Sequence, residues 1–229
     1  MERFTQLGER VDYAQALQWG IGNWRRDHGV PCYNVHPGMP IWVMHEMGDV
    51  GRQYMARVTW GYRPTWAERK GYPAVPVTCG ETAPRKRYYR GLWDNRRRCL
   101  VPMDGWYEWV PQADPSLDPL PHYIARRDGQ PMFAAALTSL DPADLDRPAG
   151  VVILAHGSGV LGRPDLAPLI LHEAAAKKWL SHANNYDGYG ALDCPLPGDL
   201  AWHRVTSRVI DISNNGPELI RPIRERAPS

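Results

Sequence analysis

The amino-acid sequence predicts an α+β fold with mainly antiparallel strands, in a single domain over residues 1–229. Three observations lead to this prediction. Segments with strand-like alternation follow one another with few helical segments between them, which is typical of antiparallel sheets. Asp128-Gly129 joins two such segments, as in a tight hairpin. The length and the 23% of charged residues fit one soluble domain, in which residues 111–121 form a loop rather than a linker.

The individual elements follow from local patterns. A first helix is predicted over residues 12–24, where apolar side chains recur near helical spacing. A second is predicted over 172–183, because its Ala, Glu and Lys residues favour a helix. Residues 33–40 have the chemistry of a turn. Strands are predicted over residues 41–46, 54–62, 97–102, 106–110, 122–127, 131–137, 150–156, 200–205 and 207–212.

Composition excludes several classes of protein. Nothing approaches the length of an apolar membrane span, and the first residues, MERFTQLGER, are not a signal peptide, so we expect a cytoplasmic protein. The four cysteines are far apart and predict neither a disulfide framework nor a zinc site. We expect packed, reduced thiols, no metal, no cofactor and a monomer. The cysteines are Cys32, Cys79, Cys99 and Cys194.

The stretch at residues 84–98, PRKRYYRGLWDNRRR, is strongly basic although the net charge of the chain is only +2. Aromatic residues alternate with the cations, a mixture that suits the backbone and unstacked bases of single-stranded nucleic acid. The alternative is a solvated basic face with its rings turned inward. The basic residues are Arg85, Lys86, Arg87, Arg90, Arg96, Arg97 and Arg98, and the aromatic residues are Tyr88, Tyr89 and Trp93.

Glu108 stands among three large aromatic residues in the segment CLVPMDGWYEW at 99–109. Strand alternation offers one explanation, in which Glu108 points to water while its neighbours face the core. The second explanation is chemical, because a carboxyl packed against apolar rings can serve as a general acid or base. Three histidines are further candidates. His36 reads as a loop or groove residue, His203 as a partnered strand residue, and His156 as a residue that can lean into a site formed with the loop at 157–167.

The order of motifs resembles one family, the SOS response-associated peptidases (SRAP), also called abasic-site processing proteins. The likeness runs over nearly the whole chain, and RCLVPMDGWYEW is its most specific segment. The matching segments are Arg3-Phe4, YNVHPG at 33–38, WGYRPTW at 60–66, GETA at 80–83, RRCLVPMDGWYEW at 97–109, GQPMFAAAL at 129–137, PLILHEAAAKKWL at 168–180, WHRVTSRV at 202–209 and NNGPELIRPI at 214–223.

This resemblance implies a single domain with a barrel-like antiparallel core, flanking helices and a positively charged groove for single-stranded DNA. It also implies a chemistry. In the family, removal of the initiator Met exposes a cysteine whose amine and thiol condense with the aldehyde of an abasic site, giving a thiazolidine crosslink. The same cysteine releases an N-terminal propeptide where one exists. A glutamate, an Asn-x-Arg segment and an HDR segment assist.

Residue by residue, this sequence keeps only part of that chemical set. The family glutamate corresponds to Glu108, and Arg3-Phe4 match the residues after the cysteine. Met1 falls at the cysteine position, and a following Glu disfavours its removal. Asn-x-Arg corresponds to Val77-Thr78-Cys79, and HDR to Pro164-Asp165-Leu166, of which only the aspartate matches. Cys79 is expected to be a packed thiol.

Three function classes therefore remain open: an active crosslinking enzyme, a catalytically degenerate DNA-binding relative, and a structural or protein-binding derivative without DNA chemistry. The lost groups favour the second, with weak or no activity and single-stranded or abasic DNA as the partner. The expected catalytic groups are Glu108 and the α-amine of Met1. We expect Glu108 to lie near the start of the chain, close enough for a charge-assisted hydrogen bond to this amine or a nearby donor. The expected DNA contacts are Arg3, Phe4, Asn34, Trp66, Arg85, Arg87, Tyr89 and Trp106.

Overall fold

The computed structural model describes residues 1–20, 29–47, 52–141, 144, 147–157, 159–161, 166–181 and 199–223. Short strands dominate this part of the chain. The strands are β1 (Phe4–Gln6), β2 (Cys32–Val35), β3 (Pro40–Met47), β4 (Arg52–Trp60), β5 (Val77–Cys79), β6 (Arg98–Met103), β7 (Gly105–Val110), β8 (Leu120–Arg126), β9 (Met132–Thr138), β10 (Gly150–His156), β11 (Ala167–Pro168), β12 (Ile170–Leu171) and β13 (Leu200–Arg204). The helices are α1 (Arg10–Ala16), α2 (Thr65–Glu68), α3 (Arg87–Asp94) and α4 (Glu173–Leu180), with 3-10 turns at Ala83–Arg85, Ser207–Ile210 and Pro217–Ile220.

Five strands close into a barrel. β10 pairs with β4, β4 with β3, β3 with β6, β6 with β9, and β9 returns to β10. All of these pairings are antiparallel except β10–β4. β5 pairs parallel with β10. β11 pairs antiparallel with β10, and β12 pairs antiparallel with β9. The predicted α+β fold with a barrel-like antiparallel core is therefore confirmed.

Strand alternation separates two cores on either side of the barrel wall. On β3, Ile41 and Val43 belong to an interior core, whereas Trp42 and Met44 belong to a core on the outside. Helices α1, α3 and α4 supply apolar residues to that outer core. Successive strand residues point to opposite faces, so a wall covered on both sides must be apolar throughout. That requirement explains the long apolar runs of β6, β9 and β10.

A second sheet lies against one side of this arrangement, in the strand order β13-β8-β7-β1-β2, with every pairing antiparallel. Trp106 and Ile124 of this sheet join the interior core of the barrel. Tyr107 and Tyr123, from the opposite face of the same strands, pack with Val209 and Leu219 of the 3-10 turns. Strand β7 is thus covered on both faces.

One buried glutamine ties the second sheet to the barrel. The amide nitrogen of Gln6 donates to the carbonyls of Trp42 (3.1 Å) and Pro102 (2.8 Å). The main-chain N–H of Trp42 in turn donates to the side-chain oxygen of Gln6 at 3.0 Å. Strand β1 therefore reaches both β3 and β6 through a single side chain.

Several predicted elements need correction. The first helix is α1, which ends at Ala16. Residues 17–20 are not helical, Gln18 has a φ of 49°, and the predicted residues 21–24 lie outside the described part of the chain. The predicted strand at 207–212 is wrong, since these residues begin with a 3-10 turn. Part of the predicted turn at 33–40 is strand β2.

The hairpin predicted at Asp128-Gly129 is wrong. β8 pairs with β7 and β13 in the second sheet, whereas β9 pairs with β6, β10 and β12 in the barrel. The two residues form a turn between the sheets, with Gly129 at a φ of 69° that glycine adopts without strain. The sequence did not predict strands β1, β5, β11 and β12, or helix α3 inside the basic stretch. Within the described ranges, no helix is long and apolar enough to cross a membrane.

Candidate functional site

Glu108 is buried, with only 4% of its surface exposed, and three N–H groups point at its carboxylate. The indole N–H of Trp106 donates to Oε1 at 3.1 Å. The main-chain N–H groups of Val160 and Leu161 donate to Oε1 at 3.0 Å and to Oε2 at 3.2 Å. The explanation in which Glu108 faces water is wrong. Its carboxylate instead sits in a set of donors that offsets the cost of burial.

Gly159 makes this close approach possible. A Cβ atom at position 159 would lie 2.8 Å from Oε2 of Glu108, which is closer than real Cβ contacts allow. The side chains of Val160 and Leu161 that follow are partly buried against the interior core of the barrel. The segment 159–161 therefore covers Glu108 with its backbone and packs its side chains on the core.

The α-amine of Met1 was expected near Glu108. It donates to the main-chain carbonyl of Leu166 at 2.7 Å, and the Met1 side chain packs on the interior core. Strand β1 does run beside Glu108, because the N–H of Tyr107 donates to the carbonyl of Arg3 at 3.1 Å. The same strand pairing thus places the start of the chain beside the strand that carries Glu108.

The segment that replaces Asn-x-Arg lies at the edge of the barrel. Cys79 pairs with Ala155 in the parallel β5–β10 register, and the next residue along β10 is His156. His156 is half-buried, and burial lowers its pKa while the nearby Glu81 carboxylate acts in the opposite direction. Of the HDR-like segment, Pro164 and Asp165 lie outside the described residues. Among the residues that are described, no group of three His, Cys, Asp or Glu side chains could hold a metal ion.

Helix α3 divides the basic stretch between solvent and core. Four cations on the helix and on the turn before it are exposed, and the Arg87 guanidinium lies 5.0 Å from the centre of the Trp66 ring. Trp66 in turn contacts the edges of Tyr72 and Tyr88. The result is a basic-aromatic surface, defined here as Trp66 with the exposed residues Arg85, Lys86, Arg87 and Arg90.

Three other residues of the stretch contact the protein itself. Tyr89 is buried in the outer core. Arg98 is 6% exposed and lies 4.9 Å from the Trp179 ring and 5.9 Å from the Trp93 ring. Arg97 donates to the carbonyl of Leu140 at 3.2 Å. The alternative of a solvated basic face with inward rings therefore fits the stretch, since most cations face out while most rings pack inward. Nucleic-acid binding by the exposed cations stays a prediction.

Four of the eight expected DNA contacts are buried. Phe4 packs edge-to-face on Trp60 at 4.9 Å, and Asn34 donates to the carbonyls of three residues in the turn at 209–214. Tyr89 lies in the outer core, and Trp106 lies beneath Glu108. Because at most 4% of each of these residues is exposed, we leave them out of the proposed interface.

The other four residues expected to contact DNA are exposed or half-exposed, namely Arg3, Trp66, Arg85 and Arg87.

Among the histidines, two predictions are confirmed. His36 lies in a loop, and Nε2 of His203 pairs with the carbonyl of Ile220 at 2.8 Å. His45 was not predicted to matter, yet it is fully buried on β3 and stacks on Tyr54 at 5.3 Å. Within the described residues neither ring nitrogen has a hydrogen-bond partner, and burial lowers its pKa to about 4.

Sequence reasoning also missed residues 159–161. Their contribution to the site is made by main-chain N–H groups, which any residue except proline carries. The only sequence signal was the pair of glycines Gly157 and Gly159, a composition that permits close approach of the backbone to a charged group.

Comparisons with known proteins agree with this architecture. A model of the family "SOS response associated peptidase (SRAP)" matches residues 2–212. The chain is 31% identical to the abasic site processing protein YedK of Escherichia coli (strain K12) over 232 residues, covering 96% of this chain and 99% of that protein. A solved structure of a phage-related protein from Bordetella bronchiseptica has a TM-score of 0.74 and 25% identity, covering 90% of this chain and 94% of that one.

A solved protein from Bacteroides thetaiotaomicron has a TM-score of 0.75 and 16% identity, covering 98% of this chain and 100% of that one. At this level of identity the likeness concerns the fold alone.

Proposed function

Because this chain belongs to the SOS response-associated peptidase (SRAP) family, we propose that it binds single-stranded DNA, including strands with abasic sites, in the response to DNA damage. Its relative YedK carries the name of an abasic site processing protein. The observation that carries the proposal is the basic-aromatic surface, where four exposed cations lie within six positions beside Trp66.

The physical argument rests on charge and stacking. Each cation on the surface can neutralise a phosphate and release a counterion, and this sequence-independent attraction dominates binding to single strands. Trp66 is held by edge contacts with Tyr72 and Tyr88, and Arg87 lies over its ring, so the pair is arranged before DNA arrives. Arginine and tryptophan faces both stack with bases, irrespective of sequence.

The test is a titration of a fluorescent single strand at several salt concentrations. Affinity should fall steeply with salt, with a slope of about 0.7 in log K against log salt for each phosphate neutralised. Arg87→Ala should lower the slope by about 0.7 and weaken binding several-fold. The matched control is Arg57→Ala. Arg57 lies 5.2 Å from the Trp42 ring, in an arginine–tryptophan pair that is not part of the basic-aromatic surface.

Binding that is absent even at low salt would contradict the proposal, as would equal losses from Arg87→Ala and Arg57→Ala. Either result would favour the derivative that binds protein and has no DNA chemistry. We separately predict that the protein is a monomer. Sedimentation of the protein without DNA measures this.

We further infer that the stable family crosslink does not form. A thiazolidine needs an amine and a thiol on adjacent carbons, and Met1 offers only the amine. Val77 and Cys79 stand where the family has Asn and Arg, and Leu166 stands at its second arginine position. Val77 packs on the interior core of the barrel, so it offers no polar group to a substrate.

What the Met1 amine can form is an imine. Its neutral nitrogen, partly populated near neutral pH, attacks the aldehyde of the ring-opened sugar, and water leaves as the C=N bond forms. Water reverses this step, whereas borohydride delivers hydride to the C=N carbon and fixes the product as an amine. We therefore expect a stable protein–DNA crosslink only when borohydride is present.

A further inference from the structure

We propose that Glu108 is a positioning residue, whose carboxylate fixes the backbone of residues 159–161 on the barrel, and that Gly159 is the residue that lets this contact close. The assignment concerns the fold of the site and does not depend on whether the protein binds DNA. It differs from the acid–base role that a buried carboxyl among aromatic rings suggests.

The donor set is the first step of the argument. An ionised carboxylate only accepts hydrogen bonds and has about four acceptor positions. Three of these are filled by N–H groups of Trp106, Val160 and Leu161, at 3.1, 3.0 and 3.2 Å. Because all three partners are donors and none is an acceptor, the arrangement matches the charged form of Glu108. When residues 159–161 are in place, the Glu108 carboxylate is therefore engaged in these three hydrogen bonds.

The second step is the sequence separation of the partners. Trp106 is two residues away on the same strand, whereas Val160 is 52 residues away and Leu161 is 53. The two main-chain bonds therefore join β7 of the second sheet to the segment that follows β10 of the barrel. Hydrogen bonds to a charged group contribute more than neutral ones, so this link is a strong one for its size.

The third step concerns Gly159. A Cβ atom there would lie 2.8 Å from Oε2 and 3.1 Å from the carboxyl carbon of Glu108. A free carboxylate could swing away from such a methyl group, but this one is held by three donors. Alanine at 159 must therefore break at least one of the bonds to Val160 and Leu161, even though it leaves the carboxyl group itself unchanged.

The experiment measures hydrogen–deuterium exchange of the Val160 and Leu161 amides, resolved by NMR. Glu108→Gln replaces one acceptor oxygen by an NH2 group that faces a donor, and Gly159→Ala displaces the carboxylate. Each variant should exchange at least one of these two amides about tenfold faster than the unmodified protein, as expected for a lost hydrogen bond to a charged group.

Two control variants match these changes. Gly157→Ala adds a methyl group two residues away, where no atom lies within 4 Å of the new Cβ. Glu46→Gln changes another carboxylate that accepts from an indole, that of Trp19 at 3.4 Å, and whose other described partner is the Gln53 side chain. Neither control should alter exchange at Val160 and Leu161.

A second measurement uses the unmodified protein and needs no variant to fold. NMR scalar couplings across the hydrogen bonds, from the Val160 and Leu161 amide nitrogens to the Glu108 carboxyl carbon, should be detected, because one carboxylate accepts from both. Couplings to another carbon, or none where the strand hydrogen bonds of β7 give them, would overturn the assignment. So would Glu108→Gln exchange that equals the unmodified protein, which would leave Glu108 free for proton transfer.

Discussion

Helix α3 and strand β7 both mix charge with large aromatic rings, and the fold treats the two mixtures in opposite ways. On α3, Arg87 and Arg90 face solvent while Tyr89 and Leu92 face the core. On β7, Trp106, Tyr107 and Glu108 are all buried. Charge therefore lies outside in one region and inside in the other, although the local sequences look alike.

The difference comes from what covers each element. A surface helix has one buried stripe, so its period of 3.6 sorts charged and apolar side chains by face. Strand β7 has the barrel core on one face and the 3-10 turns on the other, so alternation sends none of residues 105–108 to water. A charged residue on such a strand needs donors, which Glu108 finds in a distant backbone. We therefore expect α3 substitutions to change binding and β7 substitutions to change stability.

The largest expected effect is on the β7 side. Trp106→Ala removes an indole that is 1% exposed and one of the three donors to Glu108. Truncation of a buried tryptophan costs about 3–5 kcal/mol in the free energy of unfolding. Urea denaturation followed by far-ultraviolet circular dichroism measures this loss. A cost below about 1 kcal/mol would mean that neighbouring side chains fill the space left by the indole, or that Trp106 lies outside the core.

His45 sharpens the comparison, because it is buried on a strand like Glu108 but its described surroundings offer its ring no hydrogen bond. Burial lowers its pKa from 6.5 to about 4, and the Arg97 charge acts in the same direction. Between these two values the unfolded chain binds more protons than the folded one, so stability falls as the pH falls. The loss between pH 7 and pH 4 is about 3 kcal/mol.

The measurement is the free energy of unfolding against pH. His45→Phe keeps a ring on Tyr54 but cannot titrate, so its stability should fall less between pH 7 and pH 4. The control is His203→Gln, at a histidine that pairs with the Ile220 carbonyl. If His45→Phe and the unmodified protein lose stability in parallel, His45 is not the group that titrates.

On the α3 side the expected effect is on DNA. Replacing Arg85, Arg87 and Arg90 together by alanine should reduce the slope of log K against log salt by about 2, if each contacts one phosphate. Fluorescence anisotropy with one oligonucleotide at four salt concentrations gives this slope. A triple variant whose slope equals that of the unmodified protein would remove α3 from the interface.

The smallest expected effect is the stability of a single α3 variant. Arg90 is exposed, so Arg90→Ala should change the free energy of unfolding by less than about 0.5 kcal/mol. The same urea titration used for Trp106→Ala checks this. A loss comparable to that of Trp106→Ala would mean that α3 charge stabilises the fold, and the contrast between the two regions would fail.

The sequence predicted strands such as β6 and β10 because both faces of the barrel wall are apolar, which gives these strands long apolar runs. The barrel-like closure itself was implied by the family resemblance. It failed at 207–212, where Val209 faces the core but Ile210 and Ile212 are exposed, so the apolar alternation did not reflect burial. The first helix was predicted too long because nothing marked the positive φ of Gln18 as its end.

For the candidate site, sequence identified Glu108 and the basic stretch but not their surroundings. Two of the three partners of Glu108 lie more than 50 positions away and contribute only main-chain N–H groups, which leave no residue signature. Phe4 and Asn34 were expected to touch DNA because their motif matches a family. Their burial depends on tertiary packing against Trp60 and the turn at 209–214.

The central claim is that this chain keeps a DNA-binding surface but not the chemistry of a permanent crosslink. One gel tests it most directly. The unmodified protein is incubated with abasic single-stranded DNA, with and without borohydride, then heated and run under denaturing conditions. We predict a shifted band only with reductant, lost when the Met1 amine is acetylated. A strong heat-stable band without reductant would contradict the claim and indicate a nucleophile such as Cys79.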